Sequence, residues 1–492
     1  MRLYAPDCSP EDTRAGQARL FELQGAPAIW TVVAPLLAHD HPGVRFFGAS
    51  AVQSSIASTA IWTALPEASR ADLRNSLLGW LARSGSRAYP TPGPEQGRRA
   101  AALAGEAVVF RKLAAGVAGL SVRMFGEWAD WLGEVLSVVE AGDREVAGGG
   151  GEGTAQEGVL EVLRILVEEI DRAELPNNSR LAYLETVTKS IPAVTATLAA
   201  SLASATASAQ ERNAALRSFT SLLLAGQLNH ACLDQLYPLL LSHLLSPDTV
   251  VTACAAVSEL VERSSGVSGG LGVTKFVSRQ KCYELVVHWV CSSFVRQAVQ
   301  DMVEDSEADD DTYAIMQLVV AIGELFIDFL FSPPPQAAAA LAPGQLSLTL
   351  GSAETSTFFQ LLLAMSGFTG YTPDHYQVNV LPDMCWNSLQ ENCSEEGLVC
   401  GPGPGREGRV GREADWPVVK AVFEALAGVQ RRRAQWPTRE VVRTWPGGEL
   451  DDDACRGGDG DGTGRMGMVG LTGFRIGFVC RHRQWFSIPA HE

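Results

Sequence analysis

Several short patterns in the chain carry residue types that can do chemistry. Gly266-Val267-Ser268-Gly269-Gly270 has the G-x-S-x-G spacing that exposes a serine nucleophile on a strand-to-helix turn. Here a helical stretch ending at Glu262-Arg263 precedes it, and Ser/Gly richness marks a loop, so Ser268 as a hydrolase nucleophile is the distant alternative. The run Gly148-Gly149-Gly150-Gly151 ends in Glu152-Gly153-Thr154 and lacks the lysine that a phosphate-cradling loop needs. The glycines of 458–467 have neither a preceding strand nor a following apolar helix, which argues against a dinucleotide site. His39 and His41 flank Asp40, too few ligands for a metal centre, and turn polarity explains them. Asn177 and Asn392 open glycan-acceptor triplets, but residues 1–10 lack the basic-plus-apolar pattern of a secretory signal. Arg431-Arg432-Arg433 reads either as a nuclear signal or nucleic-acid contact, or as the charged end of a helix beside Trp436-Pro437. No cofactor or metal site is therefore expected.

One charged constellation stands out. Glu304, Asp305, Glu307, Asp309, Asp310 and Asp311 form an acidic run able to meet a basic partner, where such a field raises association rate and specificity. The same run also reads as a solvated loop that caps the following helix.

The bulk numbers limit the function classes. A formal charge of -17 over 492 residues speaks against direct nucleic-acid binding and for basic partners. The ten cysteines include no CxxC pair, so neither a zinc ribbon nor a thioredoxin-type motif is supported, and they read as reduced core residues. The most apolar stretch, 313–331, contains Glu324 and Asp328, which makes it a buried amphipathic helix rather than a membrane span.

Apolar residues recur at helical spacing along most of the chain. Val44, Phe47, Ala51, Val52 and Ile56 form one stripe; Leu73, Leu77, Leu78 and Leu81 form the next. The spacing predicts a hairpin over 41–81, its first helix closing at Trp62, Leu65 and Pro66. The other predicted pairs are 11–23 with 27–37, 98–120 with 128–140, 158–173 with 179–203, 207–225 with 231–245, 248–263 with 275–303, and 354–365 with 378–391. A further helix is expected over 309–331. Residues 84–97 read as a Pro/Gly/Ser-rich loop. Neither helix of a pair can bury its stripe alone, and successive pairs recur at about 40 residues, in the range of HEAT-type repeats. The expected fold is an all-α, HEAT-repeat α-solenoid, an armadillo-like superhelix of stacked antiparallel helix pairs. Residues 1–140 form N-terminal repeats, 141–153 a Gly-rich loop, 154–391 further repeats, 392–446 a Gly/Arg-rich linker with one more helix at 416–435, and 447–492 a disordered, non-repeat tail.

The residues themselves point to something narrower. Val44-Arg45-Phe46-Phe47-Gly48-Ala49, Trp62-Thr63-Ala64-Leu65-Pro66, Val109-Phe110-Arg111-Lys112-Leu113, Trp128-Ala129-Asp130-Trp131-Leu132, Gly367-Phe368-Thr369-Gly370-Tyr371 and Cys385-Trp386-Asn387-Ser388-Leu389 occur in one collinear order. That order resembles the importin-β (karyopherin-β) superfamily of nuclear transport receptors, in the branch of transportin-SR and importin thirteen. The resemblance covers residues 3–445 and implies an N-terminal half of such a receptor. It implies binding without catalysis: Ran-GTP on the N-terminal repeats, basic or Arg/Ser-rich protein cargo along the array, contacts with Phe-Gly nucleoporins, no membrane insertion, a monomer, and shuttling between nucleus and cytoplasm, in the import direction. No residue is assigned as a Ran contact. A HEAT scaffold for protein assembly, unrelated to transport, is the alternative.

Overall fold

The computed structural model describes residues 10–26, 28–89, 96–146, 154–173, 177–264, 286–305, 308–325, 353–368, 376–395 and 416–433. Among these residues there is no strand, and the helices stack as the expected all-α solenoid of antiparallel pairs. Ser268, Gly148–Gly151, Glu307 and residues 447–492 lie outside the described residues. Two compact units divide the chain, one of residues 1–298 and 308–325, the other of 299–307 and 326–492.

The first unit contains α1 (Pro10–Gly25), α2 (Ile29–Leu37), α3 (Pro42–Ala57), α4 (Thr59–Ala64), α5 (Glu67–Ala88), α6 (Gln96–Arg123), α7 (Trp131–Val146), α8 (Thr154–Arg172), α9 (Asn177–Ala203), α10 (Ala209–Leu224), α11 (His230–His243), α12 (Val250–Ser264) and α14 (Asp310–Leu325); α13 (Ser293–Asp305) carries the division between units. The pairing is shifted by one helix from the sequence expectation. The partners are α2 with α3, α5 with α6, α7 with α8, α9 with α10 and α11 with α12. The 41–81 segment is therefore not a hairpin: α3 and α5 belong to neighbouring pairs. Between pairs, α3, α6, α8, α10, α12 and α14 pack in one row, and α5, α7, α9 and α11 in the other.

Local chemistry explains most boundaries. His41 caps α3 by accepting the Gly43 N–H on Nδ1 at 3.0 Å, with Pro42 in the first turn. Ser58 is extended at ψ 113° and its hydroxyl accepts the Ile61 N–H, which ends α3 early and starts α4, so Trp62 belongs to a separate short helix. Ser208 and Asn229 cap α10 and α11 in the same way. The corners after α6 and α10 turn through Gly126 (φ 95°) and Gly226 (φ 68°), conformations glycine adopts freely. The stretch expected as one helix over 275–303 breaks at Cys291-Ser292, with 286–290 helical before it.

Residues 84–88, expected in a loop, complete α5. Ser84, Gly85 and Ser86 are buried there, and a Cβ on Gly85 would lie 3.1 Å from the Phe110 ring. Their small size is a close-packing face for α6. The rest of α6 buries Val109, Phe110, Leu113, Val117 and Leu120, each worth about 1.5–3 kcal/mol of transfer free energy for the larger side chains. Tyr183 of α9 stacks on Trp131 at 4.8 Å and its hydroxyl bonds Ser121 at 2.7 Å, joining α6, α7 and α9.

The second unit contains α15 (Ala353–Ser366), α16 (Tyr376–Glu395) and α17 (Trp416–Arg433). Trp386 organises it: the indole stacks on Phe359 at 6.1 Å, meets Phe423 at 6.4 Å, and donates its N–H to Ser366 Oγ at 2.8 Å. The helix expected over 416–435 is present. No single helix among the described residues is long and apolar enough to cross a membrane; α14 instead buries Ile315, Met316, Leu318, Val319 and Ile322.

Candidate partner-binding surface

The acidic run falls on both sides of the division between units. Glu304, in the last turn of α13, accepts the Gln300 amide at 2.7 Å; Asp305 ends the helix, exposed. Asp309 precedes α14 and accepts the Thr312 N–H at 2.8 Å. The Thr312 side chain and N–H together hold the Asp309 carboxyl below its ordinary range. Asp310 and Asp311 fill the first turn of α14, where the helix dipole favours negative charge. Burial, then Asp309 and Asp310, push the Asp311 carboxyl up. Asp309 thus does the capping that the second sequence reading expects, and both it and Asp310 are exposed.

A charged seam that the sequence did not single out crosses the α3–α6–α8–α10 row. In Val109-Phe110-Arg111-Lys112-Leu113 the apolar members are buried, while the two cations reach opposite ways. Lys112 Nζ donates to Gln53 of α3 at 3.0 Å, and Arg111 Nε to Glu161 of α8 at 2.7 Å. Arg164 then forks between Glu161 at 2.8 Å and Glu168 at 2.7 Å, and Ser221 of α10 donates to Glu168 at 3.0 Å. These contacts tie α3 to α6, α6 to α8 and α8 to α10.

The seam sets its own charge states. Burial opposes ionisation of Glu161, but the Arg164 hydrogen bond and charge, with Arg111, outweigh it and hold the carboxyl below its ordinary value. The Arg164 guanidinium is raised by its bond to Glu161. Glu157, one turn earlier on α8, has no such fork. Burial, Glu161 and Glu211 push its carboxyl up to about 7, against the charge of Arg217. Burial likewise raises Glu211 and, with Glu161 and Glu157, the Tyr89 phenol. The sequence signal for this seam was the pair of adjacent cations 111–112 inside an apolar stripe; its partners lie 50 and 59 residues away and could not be read locally.

Neither histidine of the 39–41 turn is a free ligand. His39 Nδ1 accepts the His41 N–H at 3.0 Å, and His41 Nδ1 is the α3 cap. Of the aromatic pair in α3, Phe47 is half-buried and Phe46 is exposed. Arg45 between the stripes is buried against Glu106 of α6 and donates to the carbonyl of Asp40 at 2.8 Å. Burial, then Arg87, lower the Arg45 guanidinium, against Asp40.

Residues 106–257, less than half of the chain, match the family described as exportin 1-like protein (Xpo1). They run from within α6 to α12 and include the seam from Arg111 to Ser221. The match supports the importin-β/exportin superfamily, a group of non-enzymatic, all-helical transport receptors. No curated protein sequence is similar to the chain at a significant level. Among solved structures, the crystal structure of an engineered protein is similar at 14% identity and a TM-score of 0.32, over 89% of this chain and 94% of that one. A likeness that weak carries no weight.

Proposed function

We propose that the chain is a nuclear transport receptor that binds Ran in its GTP form through its N-terminal repeats and carries protein cargo through the nuclear pore. The observation that carries this reading is the exportin 1-like match over residues 106–257, on a continuous row of stacked helices. Within that span, Arg111 and Lys112 of Val109-Phe110-Arg111-Lys112-Leu113 stitch three successive helices of the row. An acidic surface suits basic or Arg/Ser-rich cargo, and the run of Glu304, Asp305, Glu307, Asp309, Asp310 and Asp311 is the patch proposed to meet it.

A pull-down of the purified chain on Ran loaded with a GTP analogue or with GDP tests the reading. Retention by the GTP form alone is expected; equal retention, or none, overturns it in favour of a scaffold outside transport. Direction follows from one further arm. Import requires Ran-GTP to release bound cargo, and export requires it to strengthen cargo binding, because linkage is reciprocal. Release is expected.

A further inference from the structure

Four arginines of this acidic chain sit on glutamates: Arg45 on Glu106, Arg111 and Arg164 on Glu161, Arg263 on Glu259. Arg123 and Arg212 donate to backbone carbonyls. Two others on one helix do neither. Arg70 and Arg74 lie one helical turn apart on α5, and among the described residues neither forms an ion pair, although Glu67 and Asp72 share the helix. Instead each guanidinium rests on an indole. The Arg70 carbon lies 5.0 Å from the Trp62 ring centroid, and that of Arg74 lies 5.6 Å from Trp128. Arg74 meets only the neutral Asn75 amide oxygen, at 3.3 Å.

The indoles are fixed. Trp62 and Trp128 are 6% and 4% exposed, and Trp128 donates its N–H to Glu134 at 2.6 Å. Arg123 ties the end of α6 to the α3–α4 junction through the carbonyls of Ile56 and Ala57, at 3.2 and 2.7 Å, so the two indoles belong to one braced corner. A guanidinium held over an aromatic face loses little rotamer freedom on binding an acid. Beside them Phe125 is 39% exposed in the same turn as Trp128.

We propose that Arg70 and Arg74 form a preorganised two-guanidinium fork that binds an acidic segment of a partner protein, two of whose carboxylates meet one arginine each. Side chains one turn apart on a helix have Cβ atoms about 5–6 Å apart, within the reach of neighbouring Asp and Glu residues of an extended peptide. Nucleic acid is the less suitable occupant, since affinity for a phosphate backbone comes from neutralising many phosphates and the fork offers two cations. The fork is independent of the GTPase reading, because the probe contains no Ran.

The test is fluorescence anisotropy of a labelled Asp/Glu dodecapeptide with the full chain, beside a Lys dodecapeptide and a short DNA strand. The acidic peptide alone should bind. R70Q/R74Q should weaken it by roughly tenfold to a hundredfold, the range for loss of charged hydrogen bonds. R296Q/R431Q, which removes the same charge elsewhere, should change it by less than about twofold, the share of screened long-range charge. If R70Q/R74Q does not fold, R70K/R74K replaces it; the lysines keep charge but not the planar fork, and several-fold weakening is expected. Equal loss in both double variants, undiminished binding without the fork, or failure of the acidic peptide to bind the native chain overturns the proposal, and the arginines then serve only to roof the tryptophans.

Discussion

At the scale of single residues, the strongest commitments are charges that helical periodicity alone places outside the core. Arg45 sits inside Val44-Arg45-Phe46-Phe47, where the apolar stripe runs through its neighbours, yet it is 6% exposed. Its partner Glu106 lies 61 residues away on α6, and no local pattern announces a pair separated so far in sequence. Arg45→Ala leaves that carboxylate buried and two backbone carbonyls short of a donor, and should destabilise by about 3–5 kcal/mol. Arg45→Met with Glu106→Leu should recover much of that loss, because no isolated charge remains; urea melts of the two variants check it. Glu157 makes the opposite kind of prediction. Its folded carboxyl titrates at about 7, above the ordinary 4.5, so native protein binds a proton that unfolded protein has released between those values. Its contribution is full below about pH 4.5 and is lost as pH rises through 7. Glu157→Gln mimics the protonated form, so it should leave stability unchanged near pH 4.5 and raise it by about 1–2 kcal/mol at pH 8, the shift discounted for partial solvent exposure. Melting temperatures of both proteins at several pH values read this directly, and a gap that does not widen with pH refutes it.

At the scale of elements, existence was legible and phase was not. The 3.6-residue stripes located nearly every described helix to within a few residues. They did not say which neighbour each helix packs on, because a stripe at Leu73, Leu77, Leu78 and Leu81 serves equally well against α3 or α6. Small residues decide the matter, and composition alone misread them. Ser84-Gly85-Ser86 looks like a loop and is instead the seat for Phe110. Gly142 plays the same part between α5 and α7: a Cβ there would lie 2.7 Å from the Ala82 Cβ and 3.1 Å from its Cα, which is backbone that cannot swing away. Gly142→Val should therefore cost about 1–3 kcal/mol by forcing the helices apart. Combining Gly142→Ala with Ala82→Gly moves the methyl across the interface and should cost less than Gly142→Ala alone. Chemical denaturation of this pair of variants distinguishes a contact effect from a change in helix propensity, which would make the double variant the worse of the two.

At the scale of the molecule, the seam shows how one short motif serves the stacking. Val109-Phe110-Arg111-Lys112-Leu113 is an apolar stripe carrying two charges. In the structure those charges reach to the preceding helix α3 and the following helix α8 of the row. Which surface holds a partner is not encoded that way: Asp310 and Asp311 announce themselves by charge, whereas the indoles beneath Arg70 and Arg74 come from two other elements and become visible only once the corner is folded. The same stacking predicts how a defect spreads. In an array where each pair touches only its neighbours, stability is close to a sum of local terms and neighbour interfaces. Phe110 is wholly buried where α6 meets α5, and Phe110→Ala should cost about 3–5 kcal/mol. That loss should appear in amide hydrogen exchange as faster exchange in α5, α6 and α8. Helices α12 and α14, which pack against each other further along the row, should keep their protection. If α12 and α14 lost protection to the same extent, the first unit would unfold as one cooperative body, and the repeat would be a feature of its architecture but not of its energetics.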